Sequence, residues 1–259
     1  MNSTSAAEVL PDCYLCPFLV AEETPQYQLA TVLDSHPASY DQMLQKLFQR
    51  QPVEQTDLDT NIDGDQVILL DEEQTVVATS PLQALSETIL LVNSDLYRTG
   101  GVRLSEIEVP DVIEALSDTV FHARGFPESN YEKLPLILIS RQIERLSYEH
   151  GGTHRASFQR LSRIEDERGT ANVYRKLSEQ GVNTHVYGVP DELPPRELDV
   201  SIHAGFGGDW DSSWFVLHRS ETAAAALVAL ETGVNEWEAR WTYERETVEE
   251  IEDVIKTYL

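Results

Sequence analysis

Long apolar runs, cysteine and lysine are all scarce in this 259-residue sequence. No stretch reaches the roughly 18 to 20 uninterrupted apolar residues that a membrane-spanning helix needs. The first residues have neither the basic start nor the long apolar run of a secretory signal. Since Cys13 and Cys16 are the two cysteines and no export signal accompanies them, the sequence predicts a protein of the reducing cytoplasm that has no membrane partner.

Basic residues are also few. There are 45 Asp and Glu against 19 Lys and Arg, which gives a formal net charge of -26, and four of the basic residues are lysine. The acidic residues are spread along the chain, as in halophilic proteins dissolved in molar salt, where the Debye length falls to about 3 Å and self-repulsion is screened. Because phosphate binding depends on clustered basic residues, this composition argues against a nucleic-acid partner.

The densest basic stretch, residues 155–168, contains four arginines but is interrupted by acidic residues 165–167. This pattern favours a surface on which charges pair internally. A patch for a phosphorylated ligand is the alternative.

The acidic composition predicts that folding depends on salt. We expect the melting temperature to rise between dilute buffer and molar KCl, because screening relieves repulsion among the carboxylates. Thermal melts followed by circular dichroism measure this, and an unchanged melting temperature would contradict it.

Hydrophobic periodicity predicts alternating strands and helices after a proline-interrupted N-terminal segment, residues 1–25. The longest predicted helix spans residues 132–150 and ends at two glycines. We therefore predict the α/β (mixed α+β) class: a single domain, residues 26–259, with one mixed β-sheet flanked by helices. The other predicted helices contain residues 43–48, 82–90, 112–116, 170–180 and 248–258, and the predicted strands are 27–33, 66–72, 75–80, 182–189, 200–204, 213–218 and a hairpin turning at 233–235.

Three short motifs have spacing suggestive of metal binding. Cys13 and Cys16 have the spacing of a zinc-binding or redox pair, but a structural zinc site needs four ligands and no second pair follows, so two small residues of the N-terminal segment are favoured. Residues 59–64 match the opening of a calcium loop, but Leu70 stands where a bidentate glutamate belongs, so an acidic turn is favoured. His150 and His154 are four positions apart, but Gly151 and Gly152 between them break the helix that would place both on one face, so a metal pair is not expected. The sequence thus predicts no metal and no cofactor.

Motifs for catalysis are lacking as well: no GxSxG, HExxH or phosphate-binding loop occurs. We therefore predict a protein that is not an enzyme. The alternative is a small-molecule enzyme with an acidic and histidine-lined cleft, for which two or more of Glu144, His154, His185 and His203 should converge.

Several short segments, modest individually, resemble in order and spacing the DICT sensory domain, a family associated with diguanylate cyclases and two-component systems. They are ISRQIER at 139–145, SFQRL at 157–161, TANVY at 170–174 and VYGVP at 186–190. LVNSDLY at 91–97, SWFV at 213–216 and NEW at 235–237 look like the stand-alone haloarchaeal branch. The resemblance covers most of the chain from Tyr27. It implies signal input to histidine kinases or related regulators, with a suggested role in light response.

Candidate ligand- or partner-binding residues lie in the same stretch. Helical spacing places Ser140, Arg141 and Glu144 next to one another. The other candidates are Phe158, Gln159, Arg160 and Tyr174. Alternatively, Arg141 and Glu144 form a pair that stabilises the fold, and the two aromatic rings belong to the core.

The predicted function is therefore non-enzymatic sensing in signal transduction, through an unknown small-molecule ligand or a protein partner. Besides the enzyme, a pure protein-interaction scaffold is the alternative. A scaffold of that kind would have no concave pocket.

Overall fold

The computed structural model describes residues 13–20, 26–32, 38–51, 53–56, 64–94, 104, 107–125, 128–129, 131–166 and 168–259. Within these ranges the chain has an α+β fold with two mixed sheets. The helices are α1 (Ala38–Phe48), α2 (Leu82–Ser94), α3 (Asp111–Glu114), α4 (Leu134–His150), α5 (Arg163–Asp166), α6 (Arg168–Glu179), α7 (Asp209–Ser212) and α8 (Arg245–Tyr258). The strands are β1 (Tyr27–Val32), β2 (Val53–Thr56), β3 (Gln66–Leu70), β4 (Val76–Pro81), β5 (Phe121–Arg124), β6 (Thr153–Arg160), β7 (Asn183–Val189), β8 (Ser201–Ala204), β9 (Ser213–Arg219), β10 (Ala224–Gly233) and β11 (Glu236–Thr242).

The smaller sheet has the strand order β2-β1-β3-β4. β1 runs parallel to β2 and antiparallel to β3, and β3 forms the expected antiparallel hairpin with β4. Alternation along β3 sends Val67 and Leu69 into the main core with α1 and α2, while Ile68 and Leu70 form a small cluster on the other face. Helices therefore cover one face of this sheet.

The larger sheet has the order β5-β11-β10-β9-β6-β7-β8. β9 is a central strand, as its apolar run predicts, with antiparallel neighbours β10 and β6. Alternate residues of β10 enter two different cores: Leu227 and Ala229 face the main core that includes α4 and α6, whereas Val228 and Leu230 face α8. Both faces of this sheet are thus covered, which explains why β10 is apolar on both sides.

The two sheets share one hydrophobic core. A side chain after α1 also joins them, because Gln51 Nε2 donates to His122 O at 2.6 Å and Gln51 Oε1 accepts His122 N–H at 2.9 Å. The predicted mixed α+β class is confirmed, but the structure has two sheets where the sequence predicts one. No helix in the described ranges is long and apolar enough to cross a membrane.

Helix α4 forms as its sequence predicts. Pro135 occupies the first turn, where its missing N–H costs nothing, and Gly151 ends the helix at a φ of 66°. Leu136, Ile139 and Ile143 on the predicted apolar stripe are fully buried. This helix forms one wall of the cavity described below.

The basic stretch at residues 155–168 is partly buried. Its first part is the buried strand β6, and Arg155, which is 6% exposed, pairs with Glu252 of α8 at 3.0 Å. Arg160 lies 3.9 Å from Asp191. Both of these arginines therefore pair with carboxylates of distant elements of the same protein.

Candidate functional site

A cavity of about 430 Å³ lies between α4 and the larger sheet, closed at one side by the start of α6. Its size falls within the range of small-molecule sites. The lining residues are Lys133, Ile137, Ser140, Arg141, Glu144, Ala156, Ser157, Phe158, Gln159, Arg163, Thr170, Tyr174, Trp214, Val216 and Trp237.

The structure brings six of the seven candidate residues to this one cavity. They are Ser140, Arg141, Glu144, Phe158, Gln159 and Tyr174. Arg160 does not line it, and 67% of its side chain is exposed. That these residues bind a ligand stays a prediction.

An irregularity in β6 explains why neighbouring residues of one strand face the same cavity. The register of β6 against β7 shifts between Ser157 and Arg160, and Gln159 has a φ of 58°. A bulge of this kind breaks the strict alternation of side chains. Ser157, Phe158 and Gln159 therefore all line the cavity, and Arg160 follows on the solvent side.

Arg141 and Glu144 form the predicted pair, and it is buried. Arg141 Nη1 donates to Glu144 Oε2 at 2.7 Å, and the two residues are 5% and 3% exposed. Arg141 Nη2 also donates to the Thr170 hydroxyl at 3.1 Å, which joins α4 to α6. The pair thus contributes to the fold and to the cavity wall at once.

The cavity lining has the opposite charge balance to the rest of the chain. It contains three cations, Lys133, Arg141 and Arg163, against one carboxylate, Glu144, in a protein of net charge -26. Glu231 lies just behind the lining and accepts a hydrogen bond from Gln159 Nε2 at 3.2 Å. Even with Glu231 counted, the cations exceed the carboxylates.

Aromatic rings form the remaining walls. Phe158 and Tyr174 meet edge to face with ring centroids 5.4 Å apart, and Trp214 and Trp237 do so at 6.2 Å. The Lys133 ammonium lies 4.3 Å from the Trp237 ring centroid, a cation–π geometry. The cavity therefore presents cations beside aromatic surface.

A buried hydrogen-bond chain extends from the cavity wall. The Tyr174 hydroxyl lies 3.1 Å from His154 Nε2, His154 Nδ1 lies 2.8 Å from Ser147 Oγ, and that oxygen lies 3.1 Å from His218 Nδ1. Ser147 Oγ also lies 3.1 Å from Ile143 O. The ring of Tyr174 thus lines the cavity, while its hydroxyl group is bonded to His154.

Burial keeps the hydrogen-bonded side chains of this row uncharged. It lowers the pKa of His154 to about 3 and that of His218 to about 4, and it raises the pKa of the Tyr174 hydroxyl well above its usual value. The sequence does not reveal these hydrogen bonds, because Ser147 and His218 are far apart in sequence and neither belongs to a recognisable motif.

Comparison of the sequence with known protein families finds no match, and comparison with curated proteins finds none. Among solved structures, a polyphosphate kinase from Porphyromonas gingivalis is similar over 94% of this chain, at 10% identity and a TM-score of 0.34. The chain spans 47% of that kinase's length. A likeness this weak carries no argument.

The four residues proposed for an enzymatic cleft lie in three places. Glu144 lines the cavity, and His154 lies behind Tyr174. His185 and His203 meet each other across β7 and β8, with Nδ1 and Nε2 3.0 Å apart. Among these four, Glu144 alone lines the cavity.

The structure describes some of the motifs whose spacing suggests metal binding. Cys13 and Cys16 are joined in a disulfide, which the sequence analysis did not predict. The calcium-like segment, residues 59–63, lies outside the described residues. In the part of the chain that the structure describes, no group of three or more potential ligands could hold a metal ion.

Proposed function

We propose that this chain is a non-enzymatic sensory module that binds a small anionic ligand with an aromatic or apolar part in the cavity between α4 and β6. The observation that carries the proposal is a cavity lined by three cations and four aromatic rings in a strongly acidic chain. Low-dielectric walls of one charge sign concentrate the field of those cations and attract counter-ions.

The ligand's polar groups follow from the same geometry. Arg163 donates one N–H to Gln159 Oε1 and has further N–H groups that can bind an anionic group. The Trp214 and Trp237 rings offer surface for a flat apolar portion.

Transmission of the signal has a structural route in this proposal. Arg141 connects α4 to Thr170 at the start of α6. A ligand anion that engages Arg141 competes with Thr170 and Glu144 for its donors, so ligand binding shifts α6 relative to α4. The resemblance to the DICT domain supports a receiving partner such as a histidine kinase or another cytoplasmic regulator, in two-component or light-response signalling.

The alternatives have less support in the geometry. A pure interaction scaffold would show no concave pocket, whereas a cavity is present. A cleft enzyme would gather several of Glu144, His154, His185 and His203, and Glu144 alone lines the cavity.

Binding of an anionic aromatic probe tests the proposal. We expect 8-anilinonaphthalene-1-sulfonate to bind the folded protein, and Arg163→Ala to weaken its affinity by about ten-fold, because a charge-assisted hydrogen bond contributes about 1.5 kcal/mol. Fluorescence titration, at a salt concentration that maintains the fold, gives the dissociation constants.

Arg160→Ala is the matched control, since Arg160 belongs to the same segment but its side chain is exposed outside the cavity. Equal affinities for both variants and the wild type would contradict the proposal. Arg141→Ala is a poorer test, because it leaves the buried Glu144 without this partner and destabilises the fold as well. Mass spectrometry of small molecules that co-purify in high salt then identifies the ligand.

A further inference from the structure

The loop that carries Cys13 and Cys16 is anchored on the face of the larger sheet opposite the cavity. Leu15, between the two cysteines, is fully buried in the hydrophobic cluster that contains Phe215 and Ile255. The two cysteines are half-buried at the edge of this cluster. Neither cysteine is fully buried, while the buried residue between them fixes the loop in place.

A buried carboxylate holds the same loop from below. Asp209 Oδ2 accepts the backbone N–H of Tyr14 at 2.8 Å and of Leu15 at 3.1 Å. Asp209 is 2% exposed, and its Oδ1 has no hydrogen-bond partner among the described residues. The N–H of Cys16 points at Cys13 Sγ from 3.1 Å. A donor aimed at a sulfur stabilises the thiolate that forms when the disulfide opens.

A purely structural role explains this disulfide poorly. A disulfide stabilises a fold mainly by shortening the unfolded chain, and the gain is least for the shortest loops. Here the cysteines are three positions apart, so the covalent bond constrains very little chain. The buried Leu15 side chain also holds the fold at this point.

We propose that Cys13 and Cys16 are a redox-active pair that exchanges two electrons with a dithiol. A thiolate of the dithiol attacks one sulfur of the disulfide, the bond between Cys13 and Cys16 breaks, and a mixed disulfide forms. The second thiol of the reductant attacks the mixed disulfide, closes its own disulfide and releases the remaining cysteine. Two electrons and two protons pass from the dithiol to the cysteine pair.

The redox state has a hydrogen-bonded route to the cavity. The Ser213 hydroxyl donates to Asp209 O, and the Ser157 hydroxyl donates to Ser213 O at 3.1 Å. Ser157 lines the cavity. Reduction that loosens the loop from Asp209 therefore alters the wall of the binding site; this consequence rests on the proposed function, whereas the redox pair does not.

Equilibration with dithiothreitol tests the redox pair. Native protein in molar KCl is incubated at set ratios of reduced to oxidised dithiothreitol, thiols are trapped with N-ethylmaleimide, and mass spectrometry counts them. We expect both redox forms to be populated with the far-UV circular dichroism spectrum unchanged. A disulfide that opens only when the protein unfolds would overturn the proposal.

Asp209→Asn tests the positioning role of the carboxylate. We expect the equilibrium with dithiothreitol to move about ten-fold towards the reduced pair, because a neutral acceptor holds the closed loop less firmly; this is about 1.4 kcal/mol. Asp211→Asn, an exposed neighbour on the same short helix, is the control and should leave the equilibrium in place. The same equilibrium constant in Asp209→Asn and wild type would show that the Asp209 carboxylate does not stabilise the oxidised form.

The probe titration separates this inference from the proposed function. We expect the affinity for 8-anilinonaphthalene-1-sulfonate to differ at least two-fold between the oxidised and reduced forms. If the two forms bind the probe equally well and Arg163→Ala still weakens binding, the redox state does not affect the cavity. The proposal that the cavity binds an anionic ligand would then be retained.

Discussion

Replacing Glu252 by alanine is expected to lower the free energy of unfolding by about 3–5 kcal/mol. Glu252 is 2% exposed and its carboxylate pairs with Arg155 at 3.0 Å, with Arg219 at 2.5 Å and with Lys256 at 3.1 Å. It therefore joins α8 to β6 and β9. Its removal leaves the buried Arg155 guanidinium without its carboxylate, and an uncompensated buried charge is the costliest outcome of such a change. Urea unfolding followed by circular dichroism measures the loss.

Glu249→Ala is the matched control on the same helix. Glu249 lies 4.0 Å from Arg245, and nearly half of its side chain is exposed, so its loss should change the free energy of unfolding by no more than about 0.5 kcal/mol. The double variant Arg155→Met, Glu252→Met should recover stability relative to Glu252→Ala, because no buried charge is then left over. A similar small loss in Glu252→Ala and Glu249→Ala would show that α8 is not held by this carboxylate.

Two buried histidines, His154 and His218, are together expected to lower the free energy of unfolding by about 4 kcal/mol between pH 7 and pH 5. Burial lowers the pKa of His154 to about 3 and that of His218 to about 4, against an ordinary value near 6.5. Below pH 6.5 the unfolded chain takes up protons that the folded protein does not. Stability is therefore complete above pH 6.5, falls as the pH drops towards 4, and costs about 2 kcal/mol per histidine at pH 5.

The slope of unfolding free energy against pH identifies the groups responsible. His154→Gln should reduce this slope between pH 6.5 and 5 by about 1.4 kcal/mol per pH unit, the contribution of one proton. Tyr174→Phe removes the hydrogen-bond partner of His154 but leaves the imidazole buried. This variant should lower overall stability and keep the wild-type slope. An unchanged slope in His154→Gln would contradict the assignment.

Periodicity was sufficient to predict the elements whose burial is one-sided or complete. The stripe on α4, the strand β9 and the hairpin of β10 and β11 all follow from the spacing of apolar residues. Strand β6 was missed for a physical reason. It buries His154, Arg155 and Ser157, which look like surface residues in sequence, and their partners lie in α6, α8 and β9.

The candidate site was predictable to the extent that its residues lie close in sequence. Helical spacing places Ser140, Arg141 and Glu144 together, and six of the seven named candidates line the cavity. Lys133, Trp214 and Trp237, which set its charge and its aromatic surface, arrive from distant elements and share no local pattern. The membership in the DICT family and the sensory role stay predictions, since both depend on resemblance.

The anchoring of the Cys13 loop has a consequence for biosynthesis. The backbone N–H of Tyr14 bonds to a carboxylate that lies 195 residues further along the chain. At a ribosome that adds roughly 5–20 residues per second, the loop waits on the order of ten seconds or more for Asp209. During that interval both thiols are exposed to the surrounding redox buffer without the protein's own geometry to guide them. The hydrogen bonds that hold this loop in place can therefore form only after Asp209 has been synthesised.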